Sequence, residues 1–555
     1  MSQPREPGAE YDACIPISSP GDFAITSVPA GTEQPRDRST LIVSMWNLVS
    51  RLTGFVRVLA IGAAVGATFL GNTYQSANLV SNILFELLAA GVLSSVLVPT
   101  LVRHIAAGNR DEAAGLAGAV LGVLLVVLGP IVLVGVLAGN WIMRLITITV
   151  DNPTLREQEI ALGAFFLWFF LPQILLYAVG AVSTGLLHAD HRFSPPAAAP
   201  ALNNVVVIVT MILFWVMHGG TPTLDLSLGQ KLVLALGTTL GVVAMTLVPV
   251  VAARRSGFLL RPTWRPHRNE LRALAARGAW AAGYLGLTQA LLAVTLVLAN
   301  RVEGGAVAYQ IAFTFFLLPY ALVGNPILTT LFPRLSTDAH QGDRTAFGEH
   351  LGTGLRQLSF LVLPASVLLV ALSRPLVDVL AFGALSENAE LVARTLAGYA
   401  PGLIGYSAFH LLTRASYADE DTRTPTVVNF AMMAVGATLM LWWSAAAEGA
   451  DRVASLGLAH SIVQLGGALA LLVIVSKRVP EGLGLATPAV RAMCSSLGAG
   501  AAAWLLSEAM DLQGRIGAGV TTTVAGMVGV SVYAGVQLAL GSPELRRAAR
   551  QEADV

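Results

Sequence analysis

Two arginines and a glutamate lie in two long apolar stretches near the start of the chain, where charged side chains are least expected. Arg51 and Arg57 belong to the first stretch, residues 40–67, and Glu86 belongs to the second, residues 73–101. A charge at the centre of a bilayer costs at least about 2.5–3.5 kcal/mol, so such groups usually face a cavity and mark a transport pathway. The arginine fork binds phosphate through two charge-assisted hydrogen bonds. The predicted substrate class is therefore a phosphorylated headgroup.

A polar stripe runs along the second apolar stretch. Its members share the spacing i, i+3, i+7 and i+11, which predicts one face of a helix: Gln75, Asn78, Asn82 and Glu86. Glu86 is expected between the two arginines in depth, so an ion pair with either would lower the cost of both charges. An alternative interpretation is that such a pair only fastens the two helices together.

Bends are predicted at two glycines and two prolines. The two arginines are six residues apart, about 240° around a straight helix, so they face one cavity only if the helix bends. Gly54 and Gly62 permit such a bend. Pro172 and Pro401 lie inside apolar stretches, where proline frees a carbonyl and kinks the helix. These kinks are interpreted equally well as hinges or as fixed bends.

Milder polar residues occupy the apolar stretches of the second half. Gln289 and Thr314 are candidate substrate contacts, although such side chains also hydrogen-bond neighbouring helices.

The composition excludes other classes of protein. Of the 555 residues, 55% are hydrophobic and 12% are charged, whereas a soluble protein has about 25% charged residues. The net charge of +1 gives no reason to expect nucleic-acid binding. Cys14 and Cys494 lack metal-ligand spacing, and no glycine-rich phosphate loop with Lys-Ser/Thr is found. We expect no metal, no cofactor and no enzymatic activity.

The sequence predicts an all-α polytopic membrane protein with about fourteen transmembrane helices. Each spanning helix needs about 20 mostly apolar residues. The stretches that meet this requirement are 40–67, 73–101, 113–138, 160–188, 197–218, 228–252, 271–300, 307–333, 349–373, 391–417, 424–447, 454–476, 487–508 and 515–541. Arginine and lysine concentrate on the side of the amino terminus, so the positive-inside rule places both termini in the cytoplasm.

The two halves of the chain carry matching residues. The pairs that recur at nearly constant offset include Gly108 and Gly342, Arg110 and Arg344, Pro172 and Pro401, and Asp190 and Asp419. Each half holds six predicted helices, so the repeats are parallel, with the substrate site expected between them. The predicted organisation is a disordered cytoplasmic tail at 1–38, an N-lobe at 39–253, a basic cytoplasmic loop at 254–270, a C-lobe at 271–478, two further helices at 479–541 and a cytoplasmic tail at 542–555.

Four segments together resemble the bacterial lipid II flippase family (MurJ/MviN type), within the multidrug/oligosaccharidyl-lipid/polysaccharide exporter superfamily. They are SRLTGFVR (50–57), FFLPQILLYAVGAVSTGLLHADHRFSPPAAAPALNN (169–204), LFPRLS (331–336) and GYAPGLIGYSAFHLLTRASYADEDTRTP (398–425). The resemblance implies two six-helix lobes forming a V around a cationic cavity. It also implies that an undecaprenyl-diphosphate-linked peptidoglycan precursor is flipped to the outer leaflet by alternating access.

The resemblance also bears on the site residues. Arg51 and Arg57 match the two arginines of the family's first helix, and Asn72 stands where the family has an aspartate. In the eighth helix, Phe313-Thr314 replaces the usual Asp-Arg pair. The chain therefore keeps the scaffold and lacks much of the cavity charge.

The expected partners are a lipid-linked cell-wall precursor, the lipids of the bacterial cytoplasmic membrane, and cell-wall synthesis and division proteins. Two alternatives stay open. One is an exporter of another polyprenyl-linked glycan or of a cationic compound, which a cavity dominated by Glu86 would favour. The other is a scaffold for cell-wall enzymes that transports nothing.

Overall fold

The protein is all-helical throughout the residues that its structure, a computed structural model, describes: 37–87, 98–263, 286–480, 482–510 and 512–543. The first half contains α1 Asp37–Val65, α2 Phe69–Phe85, α3 Val98–Ala106, α4 Arg110–Leu137, α5 Gly139–Ile146, α6 Pro153–Phe170, α7 Gln173–Ala189, α8 Ser194–His218 and α9 Leu228–Arg255. The predicted tail 1–38 lies outside this range except for Asp37 and Arg38, which already belong to α1.

The second half continues the same architecture. Its helices are α10 Gly286–Ala299, α11 Gly305–Pro319, α12 Asn325–Gln341, α13 Arg344–Ala371, α14 Ser373–Leu380, α15 Ala389–Tyr399, α16 Leu403–Ala418, α17 Arg423–Ala446 and α18 Gly449–Ser476. Two more helices follow, α19 Ala486–Met510 and α20 Gly514–Ala539. A π-helical turn, Tyr320–Gly324, joins α11 to α12 directly after Pro319.

Eleven helical segments of the described chain are long and apolar enough to cross a membrane. They coincide with eleven of the fourteen predicted stretches, so the protein is a multi-pass membrane protein. The stretches 73–101 and 271–300 lie partly outside the described residues, and 391–417 is divided at Pro401. The count of fourteen therefore stays a prediction.

The prolines predicted to interrupt helices do so at matching places in the two halves. Pro172 stands in the turn between α6 and α7. The Leu171 amide still donates to the Leu167 carbonyl at the end of α6, and α7 begins at Gln173. Pro401 stands in the 3-10 turn Ala400–Gly402 between α15 and α16. Proline cannot donate the hydrogen bond that would continue the helix, so both breaks follow from the sequence. Their role as hinges stays a prediction.

Apolar side chains form one core in each half and a third cluster between the halves. The third cluster joins Val58 of α1 and Ala67, which follows that helix, to Ile311 of α11 and to Leu385 and Leu396 of the α14–α15 region. The carboxyl end of α1 therefore packs against the second half. Further along the chain, the part of the basic loop 254–270 that is described lies along α4, where the Thr263 amide donates to the Gly118 carbonyl at 3.1 Å.

Equivalent ion pairs fix the same loop in each half. Arg110 contacts Asp190 at 2.7 Å, and Arg344 contacts Asp419 at 2.6 Å. The residues that follow the two aspartates, His191 and Glu420, both adopt positive φ, +56° and +59°. These matched contacts support the predicted internal repeat, although the lobe boundaries themselves stay a prediction.

Replacing Asp419 with asparagine is expected to destabilise the protein. Asp419 is mostly buried and bridges Arg344 and Arg478, at 2.6 and 3.3 Å, so the neutral amide weakens two charge-assisted contacts at once. We expect a loss of about 1–3 kcal/mol, measured as a lower apparent Tm in detergent.

The matched control is Asp378→Asn, which weakens an i,i+4 ion pair with Arg374 that is more exposed to solvent. This variant is expected to lose at most about 0.5 kcal/mol of stability. Equal losses for the two variants would contradict this account.

Candidate functional site

Arg57 lies on α1 with its side chain held against α8. Its Nη1 donates to Asn204 Oδ1 at 3.3 Å, while Asn204 Nδ2 donates to the Ser50 carbonyl at 3.1 Å and to Thr53 Oγ1 at 3.2 Å. Gly54 lies against this amide, and a Cβ there would contact Asn204 Nδ2 at 3.4 Å. The Nε atom of Arg57 is buried and has no hydrogen-bond partner. Arg57 is therefore a cation held within a membrane-spanning helix, and its Nε–H group is not used in a hydrogen bond.

Arg51 lies on another face of the same helix and is exposed. Helix α1 continues without a break from Asp37 to Val65, so it shows no interruption at Gly54 or Gly62. Gly62 instead permits close packing, because a Cβ there would meet Ile311 and Leu385 side-chain atoms at 3.0 and 3.1 Å. The hinge role of both glycines and a common cavity for the two arginines stay predictions.

The predicted polar stripe lies along one helix. Gln75 is buried on α2, Asn78 and Asn82 are partly buried on the same helix, and Glu86 caps its end with helical dihedrals. Within the described parts of the chain, the ion pairs do not include one between Glu86 and Arg57. Arg57 is directed toward Asn204 of α8 instead, and a pair between Glu86 and Arg51 stays a prediction.

Asn72 connects the two halves instead of facing an open cavity. It is fully buried; its Nδ2 donates to the Val302 carbonyl at 2.8 Å, and its Oδ1 accepts from the Ala306 amide at 2.9 Å. Both ends of the amide are thus occupied by backbone groups more than two hundred residues away. In this conformation the Asn72 side chain links the two halves, and its role as a substrate contact stays a prediction.

Further contacts surround Asn72 and close this end of the molecule. Asn300 Nδ2 donates to Ser76 Oγ at 2.8 Å, and Asn388 Nδ2 donates to the Ala67 carbonyl at 2.8 Å. The remaining links are Thr149 Oγ1 to the Val297 carbonyl at 2.6 Å, Arg301 to Asp151 at 3.2 Å and Thr221 Oγ1 to Glu387 Oε1 at 3.5 Å. We call these contacts, together with those of Asn72, the seal. Every hydrogen bond described between residues 37–263 and 286–480 belongs to it.

Close backbone approach completes the seal. Gly304 has φ +73°, and a Cβ built on it would lie 2.2 Å from the Ala67 carbonyl oxygen. Gly383 has φ +62° and would meet the Ala63 carbonyl oxygen at 2.5 Å. Only glycine satisfies both the dihedral angle and the contact at these positions. The turn after α1 is therefore enclosed by the second half.

The other predicted contacts differ in their surroundings. Gln289 is buried on α10, and its Oε1 has no hydrogen-bond partner. Thr314 is partly buried on α11, and its hydroxyl donates to the Gln310 carbonyl at 2.7 Å. Asn204 was not predicted as a site residue from the sequence, although an amide inside an apolar helix often indicates a hydrogen bond between helices.

The fold and these contacts define a polytopic membrane transporter whose two helical halves meet at one end. A family model described as lipid II flippase MurJ matches residues 61–521. The chain belongs to the lipid II flippase MurJ family. A relative from Rhizobium meliloti (strain 1021), a probable lipid II flippase MurJ, is 27% identical over 71% of this chain and 72% of its own length.

Solved structures show the same fold. Lipid II flippase MurJ in an inward closed conformation superposes with TM-score 0.73 at 18% identity, over 90% of this chain and 98% of that one. An inward-facing multidrug resistance MATE family transporter gives TM-score 0.62 at 12% identity, over 80% and 99% of the two chains. An outward-facing MATE conformation gives 0.54 at 11% identity, over 80% and 96%. The fold is thus more similar to the inward-facing member of this pair.

Proposed function

We propose that this protein flips lipid II, the undecaprenyl-diphosphate-linked peptidoglycan precursor, from the cytoplasmic to the outer leaflet of the bacterial cytoplasmic membrane by alternating access. Family membership over most of the chain supports the substrate. The observation that carries the proposal is Arg57, a cation within a spanning helix that has no carboxylate partner among the described residues. Its unpartnered Nε is suited to a phosphate oxygen.

The distribution of basic residues supports a seal that faces outward. The positive-inside rule places both termini in the cytoplasm. The seal lies at the loops that follow α1, α5, α8, α10 and α14, which alternate with the basic loops and so face outward. The described conformation is then the inward-facing state, which receives the headgroup from the cytoplasmic side. Release requires the seal to open and the opposite ends of the halves to approach.

Each member of the predicted site has a role in this proposal. Arg57 and Arg51 bind the diphosphate at successive depths in the membrane. Each planar guanidinium can donate hydrogen bonds to two phosphate oxygens. Gln75, Asn78, Asn82 and Glu86 line the first half of the path, and Gln289 and Thr314 line the second. Asn72 acts through the seal. Cell-wall synthesis and division proteins remain candidate partners.

Complementation tests the function directly. A bacterium depleted of its own lipid II flippase is expected to form colonies when it expresses this protein at a level confirmed in the membrane fraction. Failure of well-expressed, membrane-inserted protein to rescue growth would overturn lipid II as substrate and favour another polyprenyl-linked glycan, a cationic compound or a scaffold.

A further inference from the structure

A buried carboxylate lies beside the seal and takes no part in the site described above. Glu159, on α6, is 0% exposed. Its Oε1 lies 3.3 Å from Thr73 Oγ1, and its Oε2 is buried with no hydrogen-bond partner. Isolated ionised carboxylates are among the most costly groups to bury, so they are normally neutralised by a proton, a cation or a paired side chain.

The ionisable groups on the neighbouring helices form no ion pair with Glu159 among the described residues. Arg156 and Glu157 lie on its own helix, and the ionisable groups on helices that contact α6 include Arg144 of α5, Tyr74 of α2, Tyr177 of α7 and Lys231 of α9. The Tyr74 hydroxyl is paired with Thr238, and Arg144 contacts Glu157 at 4.0 Å. Over the described chain, no ion pair includes Glu159.

The two acceptors near the Thr73 hydroxyl bear on the protonation state of Glu159. Thr73 has one hydroxyl hydrogen and lies 2.9 Å from the Phe69 carbonyl, closer than its 3.3 Å distance to Glu159. A carbonyl only accepts, so when the single Thr73 hydrogen is donated to Phe69 it is not available to Glu159. The Thr73 oxygen is then free to accept a hydrogen bond, which a protonated Glu159 can donate and a carboxylate cannot.

We propose that Glu159 is a proton-binding site that controls the seal. Thr73 is adjacent to Asn72 in the first turns of α2, and Asn72 holds Val302 and Ala306 of the second half. When the proton leaves to water, the carboxylate requires donors, so the Thr73 hydroxyl turns away from Phe69 and water enters between α2 and α6. The resulting displacement of Asn72 releases the second half. Protonation therefore favours the sealed state, and proton release favours opening.

Spin labels across the seal test this inference without reference to any substrate, so its outcome is separate from that of the proposed function. Thr221 and Glu387 are exposed, belong to different halves and contact each other at 3.5 Å. The variant Thr221→Cys/Glu387→Cys, with Cys14→Ser and Cys494→Ser, is labelled, reconstituted and titrated. Dipolar broadening between the labels measures the sealed population.

We expect the ratio of sealed to open protein to fall at least about fivefold from acidic to alkaline pH, the lower range of coupling between sites. Glu159→Gln, which mimics the protonated group, is expected to keep strong broadening at every pH, whereas Glu159→Asp retains a titration. Glu157→Gln is the matched control, because Glu157 is exposed on the same helix, and should titrate like the parent. A Glu159→Gln protein that titrates normally, or a parent protein without pH response, would overturn the proposal.

Discussion

Replacing Arg57 with alanine is expected to abolish rescue of a flippase-depleted bacterium, with plating efficiency reduced at least about a hundredfold. Two hydrogen bonds from a guanidinium to a diphosphate contribute about 1.5–3 kcal/mol each, and about 1.4 kcal/mol corresponds to a tenfold change in binding. Helix α1 and Asn204 fix the guanidinium in place, so no neighbouring side chain substitutes for it. Colony counts at matched membrane expression measure the effect.

Three further variants show whether the loss reflects phosphate binding. Arg57→Lys keeps the charge without the planar fork, so partial rescue is expected. Asn204→Ala removes the positioning contact to Arg57 and is expected to give an intermediate defect. Arg423→Ala, at the exposed start of α17, should rescue like the parent. Full rescue by Arg57→Ala would remove this residue from the mechanism and favour a scaffold.

The second large effect is expected for Gly304→Ala, which should shift the protein from the sealed to the open state. The new Cβ would lie 2.2 Å from the Ala67 carbonyl oxygen, a distance that backbone atoms cannot tolerate, so the turn after α1 must move away. The spin-label pair at Thr221 and Glu387 should lose most of its dipolar broadening, and rescue of growth should fall because the inward-facing state is depleted.

Gly342→Ala separates the clash from backbone strain. Gly342 has φ +72°, nearly the same as the +73° of Gly304, but a Cβ there meets nothing within 4 Å. Both alanines therefore bear the left-handed penalty of about 1–2 kcal/mol, and only Gly304→Ala disturbs the contact between the halves. Equal loss of broadening in the two variants would show that local strain, rather than the seal, is responsible.

Much of the fold could be predicted from the sequence because its signals are local. Apolar runs of about 20 residues identify spanning helices, and eleven of the predicted stretches form such helices. Pro172 and Pro401 interrupt helices because proline lacks the amide hydrogen wherever it stands. The spacing of Gln75, Asn78, Asn82 and Glu86 follows the helical period, so their common helix required no tertiary information.

The roles of individual site residues could not be predicted in the same way. Asn72 was expected at the substrate site, yet its partners are backbone groups of Val302 and Ala306. Glu86 was expected to pair with Arg51 or Arg57, whereas the partner of Arg57 in this conformation is Asn204 of another helix. Sequence spacing determines the face of a helix but leaves the neighbouring helix undetermined.

The sequence alone therefore predicts a polytopic helical membrane protein with two arginines in its first spanning helix. The tertiary structure decided that one end is closed, that Gly304 must be glycine because Ala67 lies against it, and that Glu159 is buried beside Thr73. The physical reason is the same in each case. Burial and hydrogen bonding at these positions depend on groups far away in the chain, and such contacts leave no periodic signature in either segment.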